Sequence, residues 1–526
     1  MCYNESIVPA ACSRNRSVKE KGACFHVCCS IVIYLLFMLW IGWICAKKNE
    51  SVDDFYLGGR KLGPFVTAMS AEASDMSSWL LMGLPGVAYL TGLAEASWTA
   101  IGLAVGTYLN WLIVAKRIRR YSHRLDAITV PQFFSKRWGD DRCLLSAIAA
   151  LVIIIFFIPY TASGFSACGK LFSTLFGMDY VTAMLISAAV IVLYTVMGGF
   201  LAASFTDLIQ SIIMTVALVV VLGFGVNQAG GVDAVVENAR SLTDYLSLLR
   251  IHDPATGGSS PYSLLTICSL LAWGLGYFGM PHILVRFMAI EDERKLKLSR
   301  RVASSWVVIS MGVAIIIGLV GNAMTSAGAL EQLADSETVI VRISSLISQF
   351  GAIPALVAGV ILAGILAATM STADSQLLAA SSSISQDLGN DFLKRNFSGK
   401  RGMIVARTVM IVIALIAVYL ARDPNSSVFR VVSFAWAGFG AAFGPVMLMA
   451  LFWKRSNKWG ALAGMLTGGV MVFVWKFLIA PMGGAWAIYE LLPAFLCALA
   501  AIVVVSLLTP APEQSVLDLF EDVKKR

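Results

Sequence analysis

From Phe25 to Leu508 the chain is written in apolar runs, each closed by a short cluster of charge. The runs are about 20 residues long, the length an α-helix needs to cross about 30 Å of hydrocarbon. In lipid every backbone N–H and C=O has to be satisfied inside the protein, which leaves helices or a closed barrel. Runs this long and continuously apolar select helices. The charge content agrees: 14% of residues are charged, against about 25% in soluble domains. The expected fold is an all-α integral membrane protein.

Thirteen candidate spans follow from the pattern, at about 25–46, 64–89, 92–115, 143–168, 181–199, 203–226, 262–283, 302–325, 353–384, 404–421, 428–453, 458–479 and 487–508. They are called spans 1 to 13 below. An odd number places the two termini on opposite sides. With the N-terminus outside, the basic clusters KRIRRYSHR, SKRWGDDR, ERKLKLSRR, LKRNFSGKR and WKRSNK all fall on the cytoplasmic side, as the positive-inside rule requires. Topology thus accounts for the net charge of +8, and no nucleic-acid partner is implied. The predicted organisation is an extracytoplasmic tail over 1–24, a membrane domain over 25–508 and a cytoplasmic tail over 509–526, in the multi-pass arrangement of a cell-membrane protein. The ten cysteines form no paired CxxC motifs and suggest neither a metal centre nor a disulfide framework. HExxH and nucleophile-elbow motifs are absent, so an enzyme is not expected. No obligate protein partner is evident.

Three spans are interrupted by polar or helix-loosening residues. In span 2 the stretch SAEASDMSSW (70–79) puts Glu72, Asp75 and four serines between apolar flanks. Ser and Asp compete with the helix for backbone hydrogen bonds and favour N-caps, so this is a candidate unwinding point, with Asp75 or Ser77 capping the second half. Irregular backbone at membrane depth occurs where it lines a cavity or faces protein, and an intramembrane acid points to function. In span 9, LAATMSTADSQLL, Ala368, Ser371 and Thr372 share one helical face. Freed carbonyls and hydroxyls suit a small hard cation, while a purely internal bond from Thr372 to Ala368 is the plain alternative. In span 7, LAWGLGYFGMPH, three glycines loosen a helix whose Trp273, Tyr277 and Pro281 recur every four residues. Such aromatics suit a small amphipathic ligand or an interfacial belt. Lys476 is expected to snorkel to the outer surface, Asp207 to cap the start of span 6, and WAGFGAAFGP (436–445) to mark close helix packing.

At these residues the chain resembles the sodium:solute symporter family. The resemblance is carried by YLGGRKLGPFVTAMSAEASDMSSWLLMGLPG, LYTVMGGFLAASFTD, LAWGLGYFGMPHILVRFMA, LAATMSTADSQLL and VSFAWAGFGAAFGPV, in that order, and runs from about Phe25 to Thr509. GYFGMPHILVRFMA and WAGFGAAFGP are similar to the proline-transporting branch. The resemblance implies a LeuT-type core of two inverted five-helix repeats, about 64–226 and 262–453. It implies sodium as the co-transported ion, held by the carbonyls of Ala73, Met76 and Ala368 and the hydroxyls of Ser371 and Thr372, with Asp75 in ion coupling. It places L-proline against Ser77, Trp79, Tyr160, Trp273, Tyr277 and Pro281. It gives Arg60 and Asp207, near the cytoplasmic end, roles in gating or ion release. Another small amino acid or a carboxylate is the alternative substrate. Glu72 and Ser78 stand where the proline-transporting branch has glycine: Ser78 borders the implied ligand site, and Glu72 is a second acid beside the implied ion site, either protonated against a neighbouring helix or tuning the choice of ion.

Overall fold

The structure is a computed structural model and describes residues 18–47, 51–395, 397, 399–424 and 426–525. It is almost entirely helical, as the apolar runs require. Among the described residues ten helices are long and apolar enough to cross a membrane, or eleven if Leu264–Phe278 and Pro281–Ala289 form one span bent by 45°. Two further features lie behind the difference between this number and the thirteen expected spans. Tyr180–Gln228 runs as a single 49-residue helix that covers spans 5 and 6, broken in conformation at Gly199 (φ 59°, ψ −155°). Glycine is required there, because a Cβ would lie 2.6 Å from the Phe55 ring on a backbone that L-residues avoid. Span 2, by contrast, divides into Pro64–Ser78, a π-turn Trp79–Gly83 and Leu84–Thr91, and its polar middle lowers its hydropathy.

The helix Ala352–Ser382 is the hub. It packs on Val18–Ala46, Pro64–Ser78, Leu144–Phe176 and Tyr180–Gln228, and is buried over nearly all of its second half. Its alanines, glycine and serines allow the close approach on which helix association in lipid depends. Leucine, isoleucine and valine on the outer faces of Val18–Ala46 and Gly399–Leu420 stay exposed, as befits lipid-facing surface.

Several segments read as loops or tails are ordered helix. The cluster KRIRRYSHR continues the helix of span 3 to Arg124. Residues 18–24 of the expected N-terminal tail belong to the helix Val18–Ala46, while residues 1–17 lie outside the described part. The C-terminal tail forms the helix Gln514–Lys525. It sets Val516, Phe520 and Val523 into the protein and Phe520 against the Arg137 guanidinium. Between spans 6 and 7 lie the helix Val232–Ser241 and a two-stranded hairpin, Arg250–His252 with Ser259–Pro261.

Candidate functional site

The break in span 2 is real and lies at Ser77, with φ 43° and ψ −170°. A non-glycine residue in that region costs about 1–3 kcal/mol and persists only where its surroundings impose it. Ser77 Oγ accepts the Trp79 N–H at 3.1 Å, so Ser77, rather than Asp75, opens the second half-helix. The same Trp79 N–H also turns back to the Met76 and Ser77 carbonyls.

Span 9 meets this break directly. The Ser371 hydroxyl lies 2.8 Å from the Ala73 carbonyl and 3.1 Å from that of Ala368. The Thr372 hydroxyl donates to Ala368 at 3.2 Å. Four of the five expected cation ligands therefore converge from two helices, with the internal Thr372–Ala368 bond present as well. The fifth, the Met76 carbonyl, faces its own helix turn at Trp79. Asp75 points the other way: one of its carboxylate oxygens accepts the Tyr277 hydroxyl of span 7. It thus joins two broken helices and adds no oxygen to the Ser371 cluster.

Span 7 breaks where its glycines and proline announced. A 3-10 stretch Ala272–Phe278 leads to a helix restarting at Pro281. Trp79 and Trp273 face each other at 5.9 Å between ring centroids, and both are almost completely buried. Tyr160 lies close to Ser77 and Asp75. Ser77, Trp79, Tyr160, Trp273 and Tyr277 are therefore one cluster. Pro281 stands apart from the stacked rings, in the wall of a separate cavity of about 30 Å³ shared with His282, Arg286 and Ser375. That is room for a water or two.

The sequence reading missed three rings. Phe429 stacks near Trp79 and Trp273 at 6.3 and 5.7 Å. Tyr489 stacks on Trp273 at 5.0 Å. Trp436 donates its indole N–H to the Trp273 carbonyl at 2.8 Å. WAGFGAAFGP was read only as packing, and packing is half of it. Gly276 admits the Trp436 edge where a Cβ would lie 2.0 Å from Nε1. The available signal was a tryptophan inside a small-residue stretch; Phe429 and Tyr489 carried none.

Asp207 does not cap a helix. It lies eight residues beyond the Gly199 break, fully buried, and pairs with Arg286 at 3.0 Å. Ser70 donates to it at 2.6 Å and itself accepts from Arg286 at 2.8 Å. Arg286 also reaches Ser375 at 2.6 Å, so this node ties spans 2, 6, 7 and 9 together. Lys170, in the helix Leu144–Phe176 and just past the expected end of span 4, pairs with Asp335 and Glu337, each at 3.0 Å. Glu337 in turn accepts the Ser427 hydroxyl and the Phe429 N–H at 3.0 and 3.1 Å, a carboxylate at a helix N-terminus where the dipole favours it. Lys476 lies 3.2 Å from Glu490.

At the opposite end from Lys170, Arg60 donates to the carbonyls of Met288 (2.8 Å), Ser122 (3.2 Å) and Ala127 (2.7 Å). Burial pulls its guanidinium down to about 10, so it remains charged at neutral pH. For the ion-coupled transport that the family resemblance implies, Arg60→Ala is expected to lower the rate several-fold while leaving half-saturation by ion and solute within about twofold, because each lost bond is worth about 1 kcal/mol and none touches the central cluster. Initial-rate kinetics in vesicles check this.

The profile of the family described as "Sodium:solute symporter family" matches residues 55–468. The chain is 42% identical over 497 residues to the osmoregulated proline transporter OpuE of Bacillus subtilis, covering 94% of this chain and 97% of the relative. It is 43% identical over 509 residues to a sodium/proline symporter of Haemophilus influenzae, with the same coverage of each chain. Against the sodium/proline symporter of Escherichia coli it is 41% identical, over 93% of this chain and 94% of the relative. Among solved structures it superposes on a substrate-bound, outward-open Na+-coupled sialic acid symporter with a TM-score of 0.76 at 19% identity, covering 93% of this chain and 99% of the other. A nucleobase-cation-symport-1 family transporter in a closed conformation gives 0.55 at 15%, covering 89% and 98%. These likenesses establish the LeuT-type fold that the family resemblance implied.

Proposed function

The chain belongs to the sodium:solute symporter family, and from that membership we propose that it takes up L-proline together with sodium by alternating access. The observation that carries this reading is the meeting of two polar helices at the break in span 2, where the Ser371 hydroxyl bridges the carbonyls of Ala73 and Ala368. Sodium is a hard cation that prefers several neutral or anionic oxygens. On binding it would exchange these hydrogen bonds for ion–oxygen contacts, with Thr372 and, after a small turn of the break, Met76 completing the set. Asp75 holds the break against Tyr277, so ion binding at Ala73 is felt in span 7. Beyond the break in span 2 the half-helix N-terminus after Ser77 offers its positive dipole end to the substrate carboxylate, and Trp79, Trp273 and Tyr160 enclose the ring.

We place the N-terminus outside and the C-terminus in the cytoplasm of a plasma membrane, on the strength of the basic clusters. That orientation makes Lys170–Glu337 the outer closure and Arg60 the inner one. The repeats are taken as about 64–226 and 262–453, between the tails 1–24 and 509–526, and the role is transport rather than catalysis. The driving energy is the ion's: one charge crossing 100 mV supplies about 2.3 kcal/mol, about 50-fold accumulation.

Proteoliposomes test the reading. Labelled proline is expected to accumulate above equilibrium when sodium is high outside, and to equilibrate only when sodium is equal on both sides. Accumulation without a sodium gradient sinks the coupling. A different solute that abolishes labelled uptake at far lower concentration than proline sinks the substrate, and uptake that never saturates points to a channel.

A further inference from the structure

We propose that Glu72 is a positioning residue, which fixes the sodium-binding carbonyl of Ala73 by tying the first half of span 2 to span 3. The proposal rests on the transport reading above. Glu72 is 1% exposed and belongs to neither the converging oxygens nor the aromatic cluster. One of its carboxylate oxygens, Oε1, accepts the Thr107 hydroxyl at 3.0 Å and the Trp111 indole N–H at 2.8 Å. The other, Oε2, is buried without a hydrogen-bond partner. Its anchoring is therefore one-sided, directed wholly at span 3.

Span 3 is shaped to receive it. Its helix Leu93–Leu109 passes into a π-turn, Asn110–Val114, of the kind that recurs at functional sites because one extra residue re-aims the side chains that follow. Thr107 and Trp111 reach Glu72, and Asn110, between them, donates to the Tyr277 carbonyl at 3.0 Å. Tyr277 closes the circuit through its hydroxyl to Asp75. The Trp111 ring is held in turn by Phe287, with centroids 4.4 Å apart. Spans 2, 3 and 7 are thus locked by one buried polar loop whose two carboxylates lie three residues apart.

The consequence falls on the ion. Glu72 and Ala73 are consecutive, and the Ala73 carbonyl already meets Ser371 at 2.8 Å. A support that lets this carbonyl drift by about 1 Å is enough to spoil a constellation held by short contacts. Of the aromatic cluster only Tyr277 belongs to this loop; Trp79 lies beyond the Ser77 break and Tyr160 and Trp273 stand on helices other than span 2, so the rings depend less on this anchor.

Kinetics of the full-length protein in proteoliposomes separate the two effects. Glu72→Ala is expected to raise the sodium concentration for half-maximal uptake about five- to tenfold, the worth of one to two buried hydrogen bonds. The proline KM at saturating sodium should move by less than about twofold. Glu72→Gln keeps an accepting oxygen and is expected to return sodium half-saturation to within about twofold of the starting protein. Because the bonds are shared, combining Glu72→Ala with Trp111→Phe should cost no more than the worse single change. Should Glu72→Ala not insert, the near-isosteric Thr107→Val decides by the same split, at about half the effect on a logarithmic scale. An unchanged sodium requirement, parallel rises in both constants, or no rescue by glutamine would each overturn the proposal. Unsubstituted protein whose uptake ignores sodium would instead overturn the transport reading itself.

Discussion

Ser371→Ala raises the sodium concentration required for half-maximal proline uptake by between about 10- and 100-fold, the range expected when one oxygen contact to a charge is removed. The hydroxyl at issue is the only side-chain group hydrogen-bonded to the Ala73 carbonyl among the described residues, and it also reaches Ala368. Alanine would remove that oxygen from the proposed ion site and leave the helix itself intact. Asp75→Cys is expected to act in the same direction by another route, freeing Tyr277 and taking a carboxyl group from the break. Lys476→Ala serves as the control, since Lys476 is partly exposed and pairs with Glu490, far from span 9 in the packing. Its sodium requirement should stay within about twofold, as for most surface ion pairs. Sodium titrations of initial uptake at fixed proline decide the matter: three similar curves would mean that the ion binds elsewhere.

Arg286→Leu is expected to be the most destabilising single change, by about 3–5 kcal/mol. The Arg286 side chain is buried, and its guanidinium donates to Asp207, Ser70, Ser375 and the His282 carbonyl at 2.6–3.0 Å. Removing it strands the Asp207 carboxylate, whose second oxygen already lacks a partner. The cost comes from the abandoned charge more than from the lost attraction, so Arg286→Leu combined with Asp207→Leu should recover much of the stability. Thermal unfolding of purified protein, followed by size-exclusion fluorescence, reads both results. A double variant less stable than Arg286→Leu would show that the node is held by geometry rather than charge balance.

The residues differ in how far they could be read in advance. SAEASDMSSW declared a break because Ser and Asp in an apolar run can only be afforded where backbone is unwound or a partner waits, and the break stands within that stretch. Ala368, Ser371 and Thr372 declared a shared face by their spacing. Glu72 gave no such indication. Its partners, Thr107 and Trp111, sit in an ordinary apolar span, and a π-turn, which leaves no compositional trace, aims the second of them. Arg286 fell outside the expected end of span 7 at residue 283 because hydropathy stops counting at the first cation, whereas a buried acid from span 6 carries it inward. Lys170 escaped for the same reason at the other end.

Local physics written along the chain thus determined the class: apolar length made helices, basic clusters suggested their direction, and polar interruptions marked where helices would fail. Those properties depend on each residue and its near neighbours against lipid, and need no knowledge of what lies across the bundle. Pairing belonged to the tertiary structure. Which carboxylate faces the ion's neighbours, which ties helices together and which offsets a buried arginine was decided by contacts between residues 35 to 202 positions apart, on different helices. A carboxylate's role in a dry interior is set by the donor that happens to reach it, and only the folded bundle supplies that donor.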